Sequence, residues 1–182
     1  MEDGRSETCI TVFCSSATVE AVYHEAAHEL GAFIARRGMT LVYGGNHSGV
    51  MASLGDGARS AHGRIVGVSP KLFGDLIDRK VSRFIEATDM RHRKATMEQL
   101  GDAFVILPGG IGTMEEFFEI LVGRQLKQHD KPIVLLNTNG FYDPLVDWMK
   151  TGTDAGFVRP VTWDQLLVAS TPDEALDLIH RG

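Results

Sequence analysis

The stretch Ala103-Phe104-Val105-Ile106-Leu107-Pro108-Gly109-Gly110-Ile111-Gly112-Thr113-Met114-Glu115-Glu116 decides how this chain is read. Its first five residues are an unbroken apolar run, as expected of a strand covered on both sheet faces. Pro108 and three glycines then form a turn, and Phe117, Phe118, Leu121 and Val122 continue at helical spacing. A glycine-rich turn between a strand and a helix presents bare backbone N–H groups and the positive end of a helix dipole, a seat for phosphate. The acids beside that seat, Glu115 and Glu116, would repel a ligand held only by its phosphate. They suit a site that stabilises positive charge next to a phosphate, which points to chemistry on a phosphorylated sugar. Thr113 and Glu116 also match the capping-box spacing, a purely structural alternative. Capping requires neither Pro108 nor the glycines, whereas close approach of an anion to the backbone does.

Working outward, apolar runs alternate with amphipathic ones. Strands are expected at Cys9–Cys14, Thr40–Tyr43, Arg64–Val68, Arg83–Ala87, Ala103–Leu107, Ile133–Leu136 and Leu166–Val168. Helices are expected at Val19–Arg37, Ser48–Ala61, Met90–Leu100, Thr113–Lys127, Tyr142–Lys150 and Pro172–His180. Such alternation predicts an α/β fold with a doubly wound parallel sheet, whose ligands sit beyond the carboxyl ends of the strands at the switch point. The turn Tyr43-Gly44-Gly45-Asn46 and the turn Pro108–Gly112 both follow strands and fall on that edge. One domain is expected to span residues 1–182, with residues 1–7 flexible.

The segment Asp89-Met90-Arg91-His92-Arg93-Lys94-Ala95-Thr96-Met97 reads as a helix with Asp89 as N-cap. Counting from Met90, the positions i+3, i+4 and i+7 are Arg93, Lys94 and Met97, so two cations fall on the face that should be buried. A buried guanidinium needs an acid or a phosphate, unless the side chain snorkels to solvent. His92 lies off this stripe and is expected to be exposed. The Arg93 helix leads directly into the strand ending at Pro108, so the anion seat or Glu116 could supply the missing partner.

Composition bounds the rest. With 182 residues, 43% hydrophobic and 23% charged, the chain is an ordinary globular one. A formal net charge of -6 argues against a general nucleic-acid surface. Cys9 and Cys14 lie five apart on one strand, on opposite faces, and are expected as free thiols in a reducing cytoplasm. The polar start Met1-Glu2-Asp3-Gly4-Arg5 has no apolar signal region, and no apolar run reaches membrane-spanning length. No G-K-[ST] follows the glycines, so a Walker loop is excluded, and a G-x-G-x-x-G fingerprint is missing after the first strand.

Pro108 through Glu116, preceded by Met90, Arg93 and Lys94, resembles the P-G-G-x-G-T-x-x-E and M-x-x-R-K pair of the LOG (Lonely Guy) family. Its members are cytokinin riboside 5′-monophosphate phosphoribohydrolases, often mislabelled as lysine decarboxylases. The resemblance extends to Val12–Ser16, Leu41–Gly45, Ser48–Met51 and Val66–Val68. It implies a Rossmann-like homodimer acting on a nucleotide, with no redox cofactor and no metal. It further implies catalytic roles for Arg93 and Glu116, and a 5′-phosphate seat at Gly109, Gly110, Ile111, Gly112 and Thr113. Gly45, Lys94 and Glu115 would line the nucleotide site, and an upstream substrate-contacting acid maps to Asp75. The chain departs from the family at Ser15 and Asn46, where glycines are usual, and at Val122-Gly123, where plant-type members read Thr-Trp. These departures bear on which base is preferred. A carrier of nucleotides or molybdopterin-type cofactors is the alternative on the same fold, and would not require Arg93 and Glu116 together. A pyridoxal decarboxylase would have to use Lys94, the one lysine of the candidate site.

Overall fold

Four strands owe their position to side chains that tolerate no water on either face. In the computed structural model, which describes residues 7–181, β1 (Cys9–Phe13), β2 (Thr40–Tyr43), β5 (Ala103–Ile106) and β6 (Ile133–Leu136) are buried along essentially their whole length. They form the centre of a seven-stranded sheet completed by β3 (Arg64–Pro70), β4 (Arg83–Ala87) and β7 (Leu166–Ala169), in the order β4-β3-β2-β1-β5-β6-β7. Every pairing is parallel. The chain reverses its direction of travel across the sheet between β1 and β5, which is the switch point. The expected flexible run of residues 1–7 lies outside the described residues except for Glu7, whose carboxylate meets Arg64.

Alternation along the strands feeds two separate cores. On one face Ile10, Val12, Leu41 and Val105 pack with α1 (Ala21–Arg36), α2 (Gly49–Ser60) and α7 (Pro172–Arg181) through Leu30, Ile34, Leu54 and Leu176. On the other, Phe13, Val42, Phe104 and Ile106 meet α3 (Met90–Leu100), α4 (Ile111–Gln125) and α5 (Asp143–Asp154) through Met97, Phe117, Ile120 and Met149. Cys14 lies in the first core and Cys9 against the second, both as free thiols, so the alternation rule reads their opposed directions correctly.

Boundaries shift where neighbours decide them. β3 runs to Pro70 rather than Val68, because Ser69 and Pro70 pair with Glu86 and Ala87 of β4. β5 stops at Ile106, although Leu107 still donates its N–H to the Phe13 carbonyl at 3.0 Å. The short helix α6 (Pro160–Asp164) carries too few residues for periodicity to reveal it. Among the described residues, no helix is long and apolar enough to cross a membrane.

One buried carboxylate ties the carboxyl edge together. Asp78 accepts hydrogen bonds from the Tyr43 hydroxyl at 2.6 Å, from Arg59 at 2.6 Å and from the Lys80 N–H at 2.8 Å, while its own N–H reaches the Gly45 carbonyl at 2.7 Å. Burial alone would raise its pKa, but these donors outweigh it and hold the carboxyl below its ordinary value. Asp78→Asn removes the charge that meets Arg59 Nη1 and leaves the guanidinium with Asp56 alone, and should cost about 1.5–3 kcal/mol in chemical denaturation. In the parent protein this stabilisation is present above the unfolded pKa of about 3.9 and fades as pH falls through the lower folded value. Denaturation midpoints measured from pH 6 downward check that sign.

Candidate active site

The first turn of α3 is fixed by Asp89, whose side chain accepts the His92 N–H at 2.8 Å. With the helix phase set, Arg93 and Met97 face inward and His92 is exposed. Arg93 does not snorkel. Only 4% of it is exposed; its Nε donates to the Val68 carbonyl at 3.0 Å and its Nη1 to Glu116 Oε1 at 2.8 Å. Glu116 is 6% exposed. The partner that the sequence demanded for the guanidinium is therefore the carboxylate.

The capping-box alternative fails on register. α4 begins at Ile111 with Gly110 as N-cap, and Gly110 has no side chain to satisfy the helix start. Met114 makes the first intrahelical bond, to the Gly110 carbonyl at 3.0 Å, so the N–H groups of Ile111, Gly112 and Thr113 have no intrahelical acceptor. Thr113 is buried and leans over Gly109, where an added Cβ would lie 2.2 Å from its Oγ1. At the entry to this loop the buried Tyr142 hydroxyl donates to the Leu107 carbonyl at 2.6 Å. The loop thus offers N–H groups, with at least this carbonyl engaged elsewhere.

Arg93 and Glu116 lie in a cleft of about 230 Å³ at the carboxyl edge. Its lining includes Gly110, Gly112, Thr113 and Glu115 from the start of α4, and Cys14, Ser15 and Ser16 from the end of β1. Asn46 completes the polar lining, and Met51, Phe73 and Met90 add apolar surface. Desolvation pushes the Glu116 carboxyl up to about 6, with Arg93 opposing and Glu115 adding to the rise. Cys14 is pushed far above its ordinary value by burial and by Glu116, so it stays a neutral thiol.

Other expected site residues take different places. Gly109 borders a neighbouring cavity of about 270 Å³ with Tyr23 and Phe141. Gly45, at φ 68°, does not line the cleft; an added Cβ there would lie 3.2 Å from the Val68 nitrogen and 3.3 Å from Gly67. Ile111 is 91% exposed and does not line the cleft. Lys94 lies outside the cleft, its ammonium paired with Glu115 and, at 2.6 Å, with Glu119. Burial works against its charge, yet these acids raise its pKa overall. Asp75 is exposed on the 3-10 segment Lys71–Leu76 and does not line the cleft; Phe73 of the same segment does. Ser15 and Ser16 could have been found from the edge rule, since they follow β1 at the switch point. Phe73 and Met51 carried no such signal.

A family model described as possible lysine decarboxylase matches residues 51–179. The cytokinin riboside 5′-monophosphate phosphoribohydrolase of Mycobacterium tuberculosis is 38% identical over 169 residues, covering 92% of this chain and 90% of that protein. Its namesake from Rhodococcoides fascians is 39% identical over 175 residues, covering 94% and 88%. The chain belongs to the LOG family. A molybdenum cofactor binding protein from Rippkaea orientalis shares the fold, with a TM-score of 0.78, 23% identity and 98% of both chains covered.

Departures from the LOG pattern acquire physical meaning in this setting. Asn46 is buried, lines the cleft and accepts a hydrogen bond from Ser69 at 3.4 Å. Val122 is exposed and away from the cleft lining. A Cβ at Gly123 would lie 3.3 Å from the His129 ring, which packs on Phe104, so this LOG chain fills with histidine the space a side chain at 123 would enter. Carboxylate-selective NMR or infrared titration should find one carboxyl ionising near pH 6 and missing from Glu116→Gln. In Arg93→Met that midpoint should move upward, because the opposing positive charge is gone.

Proposed function

We propose that this LOG chain hydrolyses the N-ribosidic bond of N6-modified adenosine 5′-monophosphates, releasing the free base and ribose 5-phosphate. The observation that carries this reading is that the buried Arg93–Glu116 pair and the open start of α4 line one small cleft. Its LOG relatives named as phosphoribohydrolases add support.

The N–H groups of Ile111 to Thr113 and the α4 dipole hold the 5′-phosphate. Binding energy from that remote group positions the anomeric carbon. As the bond from C1′ to the base nitrogen breaks, the sugar gains oxocarbenium character. Glu116, ionised above pH 6, stabilises that charge, orients the attacking water and takes up its proton. Arg93 keeps this acid ionised in a dry setting and helps to stabilise charge on the departing base. Met51, Phe73 and Met90 supply the apolar surface for a base. Lys94, charged and held by two acids, is a poor Schiff-base nucleophile, which disfavours pyridoxal decarboxylation.

Incubation with AMP, its N6-isopentenyl form and the corresponding nucleosides, followed by chromatography, tests the proposal. Free base and ribose 5-phosphate should appear from the monophosphates and not from the nucleosides. Glu116→Gln should lower kcat about 10²- to 10⁴-fold while the nucleotide still binds. Binding without release from any of them would favour a carrier.

We further propose that the chain works as a twofold dimer in the cytoplasm. Phe117 is core, but Trp148 is 58% exposed, stacks edge-on against Phe118 and, with Val122, offers an apolar face on α4 and α5. Light scattering should give twice the 19.9 kDa chain mass, and Trp148→Glu should shift it toward the monomer.

A further inference from the structure

The geometry points to Gly44 as a positioning residue for Arg93: its missing side chain is the space that sets where the guanidinium stops. An added Cβ at Gly44 would lie 1.9 Å from Arg93 Nη2, 3.1 Å from its Cζ and 3.2 Å from Met51 Cε. Gly44 is absent from the residues with positive φ, unlike its neighbour Gly45 at φ 68°. Its φ lies outside the left-handed region, so no positive φ requires glycine here. The guanidinium does.

Two edges of that guanidinium are already committed. Nε is held by the Val68 carbonyl at 3.0 Å and Nη1 by Glu116 at 2.8 Å, and the Nη2 edge rests on Gly44. A methyl group at 44 leaves two escapes: the turn retreats, or the guanidinium moves. Retreat is blocked from behind. Tyr43 is tied to Asp78, the Gly45 carbonyl accepts the Asp78 N–H at 2.7 Å, and Gly45 already meets Gly67 at close range. Beyond the turn, the His47 N–H is held by the Leu76 carbonyl at 2.7 Å. The guanidinium is the part that gives way, and it loses Val68, Glu116 or both.

Gly44 touches no reacting atom in this scheme and acts only through Arg93. The inference rests on the hydrolytic reading for its turnover measurement, and not for its stability measurement. The test is a double-mutant cycle of Gly44→Ala with Arg93→Lys, because lysine ends where Arg93 Cζ stands and lacks the colliding Nη2. In the parent background Gly44→Ala should lower kcat at least about 100-fold with a smaller change in KM. It should also move the acid limb of kcat upward from its position near pH 6, as Glu116 loses its cation. In the Arg93→Lys background Gly44→Ala should change kcat and the acid limb little. Denaturation midpoints of the four proteins should show the same non-additivity, even if no nucleotide is cleaved. Equal losses in both backgrounds overturn the inference, as does a Gly44→Ala enzyme within about twofold of the parent. If Gly44→Ala alone fails to fold, the double variant decides: folding like Arg93→Lys supports the role, and failing as well refutes it.

Discussion

The Arg93–Glu116 pair is the constraint around which the carboxyl edge is organised. Two charges removed from water are costly to each other's surroundings unless their remaining hydrogen-bonding groups are met. Here the demand is spread over three elements. β3 contributes the Val68 carbonyl, α3 the guanidinium and α4 the carboxylate. The pair therefore ties α3 and α4 to each other and to β3, alongside the apolar packing of Met97, Phe117 and Ile120. Desolvation that outweighs the opposing charge leaves Glu116 with a pKa near 6. A carboxylate poised in that range is a better proton acceptor than an exposed one, and still largely ionised at neutral pH.

The cleft divides its electrostatics by position. Positive potential is concentrated at the start of α4, built from backbone N–H groups that carry no titratable proton in the working range. Negative charge is concentrated at Glu116, a turn further along the same helix and deeper. Glu115, which would weaken the anion seat, is drawn off by Lys94, and so is Glu119. Lys94 thus has a clear electrostatic effect without reaching the cleft, although the sequence had suggested that it lines the site. Cys14, kept neutral, adds a soft surface to the cleft lining without adding charge.

Much of this was legible in the chain because the signals were local. Strands such as Ile133–Leu136 announce themselves by unbroken apolar content, and α3 by Asp89 followed by a helical stripe. Arg93 was legible for a sharper reason: a cation on a buried face demands a partner, and one was available in Glu116. The start of α4 was misread by two residues because Thr113 and Glu116 imitate a cap, whereas Gly110 begins the helix without one. Asp75 and Phe73 show the limit of such reasoning. Which side chain of a 3-10 segment turns inward depends on the kink at Gly74, with φ 49° and ψ -117°, and no periodicity encodes that. Asp78, separated in sequence from Tyr43 by α2, β3 and a 3-10 segment, was invisible for the same reason: its meaning is largely tertiary.

The hydroxyl of Tyr142 on the Leu107 carbonyl has a consequence for how the glycine motif should be regarded. Tyr142 comes from the connection after β6, while Leu107 ends the run of β5, so the polarity of the loop is secured by a neighbouring strand's appendage. The nine-letter signature is consequently not a portable cassette. Spliced into another βα junction that lacks such a tyrosine, the same letters would be free to turn a carbonyl toward the visitor and repel it. In this fold the glycines are merely the visible part of a larger neighbourhood.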